Sequence, residues 1–168
     1  MRTRIIKLSL LTLFITIFSS CEENVCGCTI VDVDVNIAVT NRDDRDLLNP
    51  ETPGHLKSED IEIYFVRNGQ RVYMNPKDNA PGSFSILEEG PHEKYIMRLY
   101  PDLERDQSGT TTTIIKWNEL DEDTLTCEVT KKTNSTTVTR VWHNDELKYD
   151  QVNHTTPHGD LRLINVVK

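Results

Sequence analysis

The sequence predicts an all-β fold, and within that class an immunoglobulin-like β-sandwich of about eight or nine short strands. Three observations support this prediction. Apolar and polar residues alternate with a period of two in many short runs, turn-forming residues separate these runs, and no ten-residue stretch beyond the N-terminal leader combines helical spacing with caps. The hairpins that follow one another from residue 94 to 150 also suit a lipocalin-like up-and-down barrel, which is the alternative.

The first predicted strand covers residues 29–39, "TIVDVDVNIAV". Its apolar residues fall on one face, and Asp32, Asp34 and Asn36 fall on the other, a pattern typical of a half-buried strand. Since like charges that face each other across a sheet weaken it, the Asp face is expected to point to water.

The second and third predicted strands form a hairpin. Residues 61–67 alternate, and residues 71–74 return after Asn68-Gly69, a dipeptide that favours the tight turn of a two-residue hairpin. The other predicted strands are short alternating or β-branched runs: 83–87, 94–100, 110–117, 124–130, 135–143 and 161–167.

The N-terminus has the layout of a cleaved signal peptide, residues 1–20. Arg2, Arg4 and Lys7 precede the uncharged run 8–18. That run has the length of a signal peptide's apolar region, whereas a helix that spans a membrane needs about 20 apolar residues.

Residues 18–21, "FSSC", resemble the lipobox of bacterial lipoproteins. The resemblance implies cleavage before Cys21 and acyl chains on its thiol and amine, and more than one chain gives stable anchoring. Glu22 and Glu23 resemble the acidic export signal of Bacteroidetes-type lipoproteins. They imply a lipid-anchored protein in the outer membrane that faces the extracellular side, although an ordinary solvated tether is the alternative for these two residues.

Cleavage would leave residues 21–28 as the lipidated cysteine and a short tether, and residues 29–168 as a single β-domain. The mature chain keeps 16 of the 19 basic residues and all 27 acidic residues, so its net charge is −11. A field of this sign repels nucleic acid, which is therefore not an expected partner. The expected membrane contact is through the acyl chains on Cys21.

Three cysteines remain after Cys21 is assigned to the anchor. A disulfide from Cys26 or Cys28 to Cys127 is predicted, because an oxidising compartment favours disulfides. Cys127 lies on the same predicted strand face as Leu125 and Val129, so a buried free thiol is the alternative.

The acidic loop that contains Asp43, Asp44 and Asp46 raises the question of calcium binding. The loop lacks the spacing and the central glycine of an EF-hand, and a turn that caps its own backbone explains the same residues. His154 and His158 have i, i+4 spacing, but Pro157 argues against a helix. No metal site and no cofactor are therefore predicted.

No catalytic motif is present in the sequence: there is no G-x-S-x-G, no Gly-rich phosphate loop and no S-x-x-K. The chain is therefore not expected to be an enzyme. Trp117 and Trp142 are candidates for stacking on a sugar ring, with burial in the core as the alternative for each.

Four segments, "DLLNPETPG", "IEIYFVRNGQ", "IIKWNELDEDTLTCEV" and "VWHNDELKYD", resemble those of a group of uncharacterised Bacteroidetes-type surface lipoproteins. The resemblance implies a secreted, anchored β-domain and carries no activity or site with it. The expected function is a non-catalytic binding or accessory module for a glycan or a protein at the outer surface. The alternative is a structural or assembly subunit that docks a partner through a strand edge.

Overall fold

The computed structural model describes residues 29–75, 84–88, 94–153 and 162–168. These residues form β-strands and connecting turns. The strands are β1 (Ile30–Asp32), β2 (Val35–Thr40), β3 (Glu62–Arg67), β4 (Gln70–Met74), β5 (Phe84–Leu87), β6 (Ile96–Leu99), β7 (Thr110–Asn118), β8 (Asp121–Lys132), β9 (Ser135–His143), β10 (Glu146–Asp150) and β11 (Leu163–Val167).

The strands form two sheets. The larger has seven strands in the order β1-β9-β8-β7-β3-β4, and β10 pairs with β9 beside β1. The smaller has four strands in the order β11-β2-β6-β5. Two pairs are parallel, β1 with β9 and β11 with β2, and the remaining pairs are antiparallel.

The alternating sequence pattern produces one apolar core between the two sheets. Residues of both sheets belong to this core, among them Val35, Ile37 and Met97 from the small sheet and Phe65 and Leu125 from the large one. Burial of such side chains stabilises the fold by about 1.5–3 kcal/mol each. The predicted all-β sandwich is thus confirmed, and the lipocalin-like alternative is wrong because the strands form two separate packed sheets.

Two tight turns set the register of the outer hairpins. Asn68 and Gly69 have φ angles of 52° and 75°, as the predicted two-residue turn requires. Asn144 and Asp145 have φ angles of 47° and 65° and join β9 to β10 in the same way. The sequence analysis did not predict β10, although Asn-Asp between strand residues is a hairpin signal.

The first predicted strand was wrong in extent. Instead of one strand over residues 29–39, the chain leaves the large sheet after β1 and enters the small sheet at β2. The crossing brings Asp32 and Asp34 to the guanidinium of Arg162, which is 5% exposed. Arg162 Nε donates to the backbone oxygen of Asp34 at 2.7 Å, and Nη1 donates to Asp32 Oδ2 at 3.0 Å.

The Asp face of this segment therefore does not simply point to water, as expected from the alternation. A buried guanidinium needs carboxylate partners, and the two aspartates supply them. The hydrogen bond from Arg162 lowers the pKa of Asp32. The part of the chain that the structure describes contains no helix, and so no helix that could cross a membrane.

Candidate functional site

A groove of about 660 Å³ lies between the loop after β2 and the strand β5. We call it the β5 groove. Its lining residues are Leu48, Pro50, His55, Leu56, Lys57, Ser58, Glu59, Phe84, Ser85, Ile86 and Tyr95.

Asp46 holds the two walls of the β5 groove together. Its Oδ1 accepts a hydrogen bond from the backbone N–H of Leu48 at 2.9 Å, and its Oδ2 accepts one from the backbone N–H of Tyr95 at 2.8 Å. Leu47 and Leu48 are buried in the core, which fixes the start of the loop. The loop wall is thus attached both to the core and to Tyr95, the residue directly before β6.

The same contacts account for the acidic residues that raised the question of calcium. Asn41 Oδ1 accepts from the backbone N–H groups of Asp43 and Arg45, both at 2.9 Å, while Asp44 contacts Lys94 at 3.2 Å. Within the described ranges no group of three or more His, Cys, Asp or Glu side chains could hold a metal ion. The loop is a turn that satisfies its own backbone.

The floor of the β5 groove is apolar. Leu56, Phe84, Ile86 and Tyr95 are partly buried and pack against the core, and Leu48 is 2% exposed. β5 pairs with β6 on one side only, and no other strand in the described segments pairs with its outer edge. The groove therefore combines an apolar surface with a strand edge whose backbone groups are open to a partner.

One end of the β5 groove is acidic. Burial raises the pKa of the Tyr95 hydroxyl, and the nearby carboxylates of Glu88, Glu51 and Asp46 raise it further. Negative charges oppose the formation of a phenolate, so the Tyr95 hydroxyl stays protonated. Glu88 lies beside Tyr95 because the preceding residue, Leu87, pairs with Ile96, so a cationic group placed at this end would meet a carboxylate.

A second polar region surrounds Asp123, and we call it the Asp123 cluster. It consists of Trp117, Asp121, Asp123, His143, Asn144 and Lys168. Asp123 Oδ2 accepts from Trp117 Nε1 and from Lys168 Nζ, both at 2.6 Å, and Oδ1 accepts from Asn144 Nδ2 at 2.8 Å. His143 Nε2 lies 3.2 Å from Asp123 Oδ2 without hydrogen-bond alignment.

Burial alone would raise the pKa of Asp123, but its contacts with His143, Lys168, Asn144 and Trp117 outweigh burial. The pKa of this carboxyl therefore lies well below its usual value. Its charge is matched by a cation and by two neutral donors, which is the arrangement that a buried carboxylate requires. The polar contacts of Asp123 are made within the cluster, which is the arrangement of a group that stabilises the fold.

Trp117 is a correction to the sequence analysis. It was a candidate for ligand contact, but it is 1% exposed, and its indole lies between the core and the Asp123 cluster. The Nζ of Lys168 lies 5.4 Å from the centre of the Trp117 ring. Trp117 therefore has the core role that was its alternative.

Trp142 lies on the outer face of the large sheet and is partly exposed. Its cross-strand neighbours are Thr126 on β8 and Leu147 on β10. Two further aromatic residues of that face, Tyr64 and Tyr73, contact each other with ring centroids 5.6 Å apart. Strands β8 and β7 lie between Trp142 on β9 and Tyr64 on β3, so these two residues are about three strand spacings, or 14 Å, apart. Trp142 and the tyrosine pair therefore do not form one continuous aromatic surface.

Cys127 is the one cysteine among the described residues, and it has no measurable exposure. Burial raises its pKa to about 12, so the thiolate is nearly absent at neutral pH. Its predicted partners, Cys26 and Cys28, lie outside the described residues, and that pairing stays a prediction. The anchor residue Cys21, the export residues Glu22 and Glu23, and the pair His154 and His158 also lie outside the described residues.

Sequence analysis missed the β5 groove because its walls come from segments about 30 residues apart. The alternation of Phe84 and Ile86 with Ser85 signalled a half-buried strand, but it did not show that one edge would stay open. Sequence analysis also assigned no role to His143, whose side chain is 13% exposed and lies beside Asp123.

Comparison with known proteins adds no identity: no protein-family model, no curated protein and no solved structure matches this chain.

Proposed function

We propose that this protein is a lipid-anchored lipoprotein of the outer membrane that binds a glycan or a protein at the cell surface without turning it over. The observation that supports this proposal is the β5 groove. Its volume of about 660 Å³ falls within the range of about 300–1,000 Å³ that is usual for ligand sites. Apolar lining with a few polar groups at the rim is also usual for such sites.

The polar side chains of the groove support binding rather than chemistry. His55 Nδ1 lies 3.2 Å from the backbone oxygen of Thr52, and Ser58 Oγ lies 3.5 Å from Glu59 Oε2. A nucleophile and its base would instead lie within hydrogen-bond reach of each other, with a third group orienting the base. No such set occurs among the described residues of the groove.

The proposed location rests on the sequence "FSSCEE", residues 18–23. Six residues separate Cys21 from Cys28 and span at most roughly 20 Å when extended. The sandwich would then lie close to the membrane surface. A ligand outside the cell could bind there if the β5 groove faces the solvent.

The binding proposal is tested by a ligand survey on the purified exported protein. A glycan array and a library of linear octapeptides are screened in parallel, and the mass of each ligand that binds is checked after incubation. We expect ligands of at least one class to bind and to be recovered unchanged. Failure of both classes would contradict the binding function, and recovery of a cleaved ligand would contradict the non-catalytic part.

The anchor is tested separately. Cys21→Ala should abolish acylation and release the protein from membranes, as measured by detergent phase partitioning and mass spectrometry. Replacement of Glu22 and Glu23 by Ala should leave acylation intact and reduce digestion of the protein by protease added to intact cells. An unmodified Cys21 in the wild type would refute the lipoprotein proposal, and equal digestion would refute the export signal.

The second candidate function is assembly through the outer edge of β4. No strand in the described segments pairs with this edge, and Val72 and Tyr73 are 40% and 55% exposed on it. Exposed strand edges with apolar side chains pair readily with other strands. If the edge serves assembly, sedimentation should show oligomers that Tyr73→Pro reduces to monomers, because Tyr73 forms a non-hydrogen-bonded pair with Tyr64 and its N–H faces the open edge.

A further inference from the structure

We propose that the β5 groove takes an extended peptide segment of a partner protein, which adds a fifth strand beside β5 and places a Lys or Arg side chain next to Tyr95. This inference rests on the proposed binding function of the groove and assigns it a ligand class.

The strand edge provides the first argument. β5 is the last strand of the small sheet, and its pairing with β6 leaves the opposite edge open in the described part of the chain. Three of its four residues, Phe84, Ser85 and Ile86, also line the groove. A ligand in the groove thus lies along the open edge, where an extended backbone can form the ladder of hydrogen bonds that a sheet requires.

The shape of the groove provides the second argument. Neighbouring strands lie about 4.8 Å apart, and the added strand would occupy the space between β5 and the loop that carries Leu48 and Leu56. Phe84 and Ile86 point to the core side of β5, where both pack against core residues. Because side chains alternate along a strand, the peptide would place every second side chain on this apolar surface.

Charge provides the third argument and defines the partner. Glu88 lies beside Tyr95 in the β5–β6 register, Asp46 contacts the backbone of Tyr95, Glu51 adds to the negative charge that raises the pKa of Tyr95, and the whole chain has a net charge of −8. A cationic side chain is attracted to this end, whereas a second copy of the same acidic chain is repelled. A neutral glycan can donate hydrogen bonds to these carboxylates but has no charge attraction to them, so a basic peptide is the favoured ligand.

The backbone pairing is tested by N-methylation of the peptide that binds most tightly in the octapeptide library. Each backbone nitrogen is methylated in turn, which removes one N–H donor and leaves the side chains in place. We expect methylation at alternate positions to weaken binding at least tenfold, and methylation at the intervening positions to change it less than threefold, because alternate N–H groups of an added strand face its partner. Equal effects at all positions would refute strand addition.

The charge preference is tested on the same peptide. The double variant Glu88→Gln, Glu51→Gln should bind the peptide about tenfold more weakly than the wild type does. A peptide with norleucine in place of its Lys should bind the wild type and the double variant equally. The matched control is Glu104→Gln, since Glu104 lies beyond the opposite end of β6, where it contacts Arg67 at 2.9 Å. Glu104→Gln should leave the affinity unchanged. If the double variant and the control behave alike, the assigned position of the cation is wrong.

The failure of this inference differs from the failure of the proposed function. If glycans bind and no octapeptide does, the groove remains a binding site and the peptide assignment is overturned. If neither ligand class binds, the proposed function fails and the inference fails with it.

Discussion

The β5 groove and the Asp123 cluster lie on either side of the end of β2, and they are built in opposite ways. The backbone oxygen of Thr40, the last residue of β2, accepts a hydrogen bond from the backbone N–H of Lys168 at 2.8 Å. Thr40 also forms an isolated antiparallel β-bridge with Asp46 of the groove loop. In the Asp123 cluster every charge has a partner within the cluster. In the β5 groove the outer edge of β5 pairs with no strand among the described residues. The polar residues of the Asp123 cluster therefore stabilise the fold, whereas the β5 groove is the surface proposed to bind a ligand.

The largest expected effect comes from removal of the central carboxylate of the cluster. Asp123→Ala would leave Lys168 and the indole N–H of Trp117 without their shared acceptor, so we expect a loss of about 3–5 kcal/mol in the free energy of unfolding. Urea denaturation measures it. The matched control is Asp121→Asn, since Asp121 is more exposed and its side chain pairs with Lys168 alone among the described residues; it should cost less than about 1 kcal/mol. Similar losses for the two variants would show that the cluster is not organised around Asp123.

The second expected effect is a dependence of stability on pH. Because folding lowers the pKa of Asp123, the unfolded chain takes up a proton near the usual value of 3.8 before the folded chain does. The stabilisation by Asp123 is therefore present above about pH 4 and is lost as the pH falls towards the lowered pKa of the folded state.

This pH dependence is measured by urea denaturation of the wild type and of Asp123→Asn from pH 7 to pH 3. The difference in the free energy of unfolding between the two proteins should be largest at pH 7 and should shrink below pH 4. A constant difference would mean that the pKa of Asp123 is not lowered by folding.

A smaller effect on stability is expected in the groove wall. Leu56 is only partly buried, so Leu56→Ala should cost about 1–2 kcal/mol, less than the removal of a fully buried leucine. Ile63, which is 0% exposed in the core, gives the reference, and Ile63→Ala should cost about 2–5 kcal/mol. If urea denaturation showed equal costs, the groove wall would be part of the core rather than an open surface.

The smallest expected effect is at Cys127, where the folded protein should not react at all. A thiol with no exposure and a pKa near 12 gives almost no accessible thiolate, so iodoacetamide should not modify residue 127 in the native state. Peptide mass spectrometry after denaturation without reductant then separates the two states of Cys127, because full modification would show the buried free thiol that is the alternative. If modification required a reductant, the disulfide to Cys26 or Cys28 would be present.

The sequence predicted the elements of the sandwich better than it predicted how they connect. Alternation along β3 and β8 gives the inward and outward faces directly, because a strand has a period of two. The change of sheet between β1 and β2 was missed, and the residue that contacts Asp32 and Asp34 at this crossing is Arg162, about 130 residues away in the chain. A partner at that separation leaves no local signal.

The candidate site shows the same limit. The β5 groove exists because Asp46 ties the loop to Tyr95, a contact between residues 49 positions apart. The Trp117 and Asp123 pair lies close in sequence, but Lys168, which contacts both residues, lies 45 positions beyond Asp123. Residue type alone could not separate Trp117, which is in the core, from Trp142, which is at the surface.

The most direct test of the account blocks the β5 groove without touching the core. Ser58 is an exposed lining residue, and Ser58→Trp would fill the space above the apolar floor. Thr133→Trp, in the exposed turn between β8 and β9, is the matched control. Isothermal titration with the tightest ligand from the survey should show at least tenfold weaker binding to Ser58→Trp, unchanged binding to Thr133→Trp, and the same urea midpoint for both. Equal affinity of the two variants would contradict the claim that ligands bind in the β5 groove.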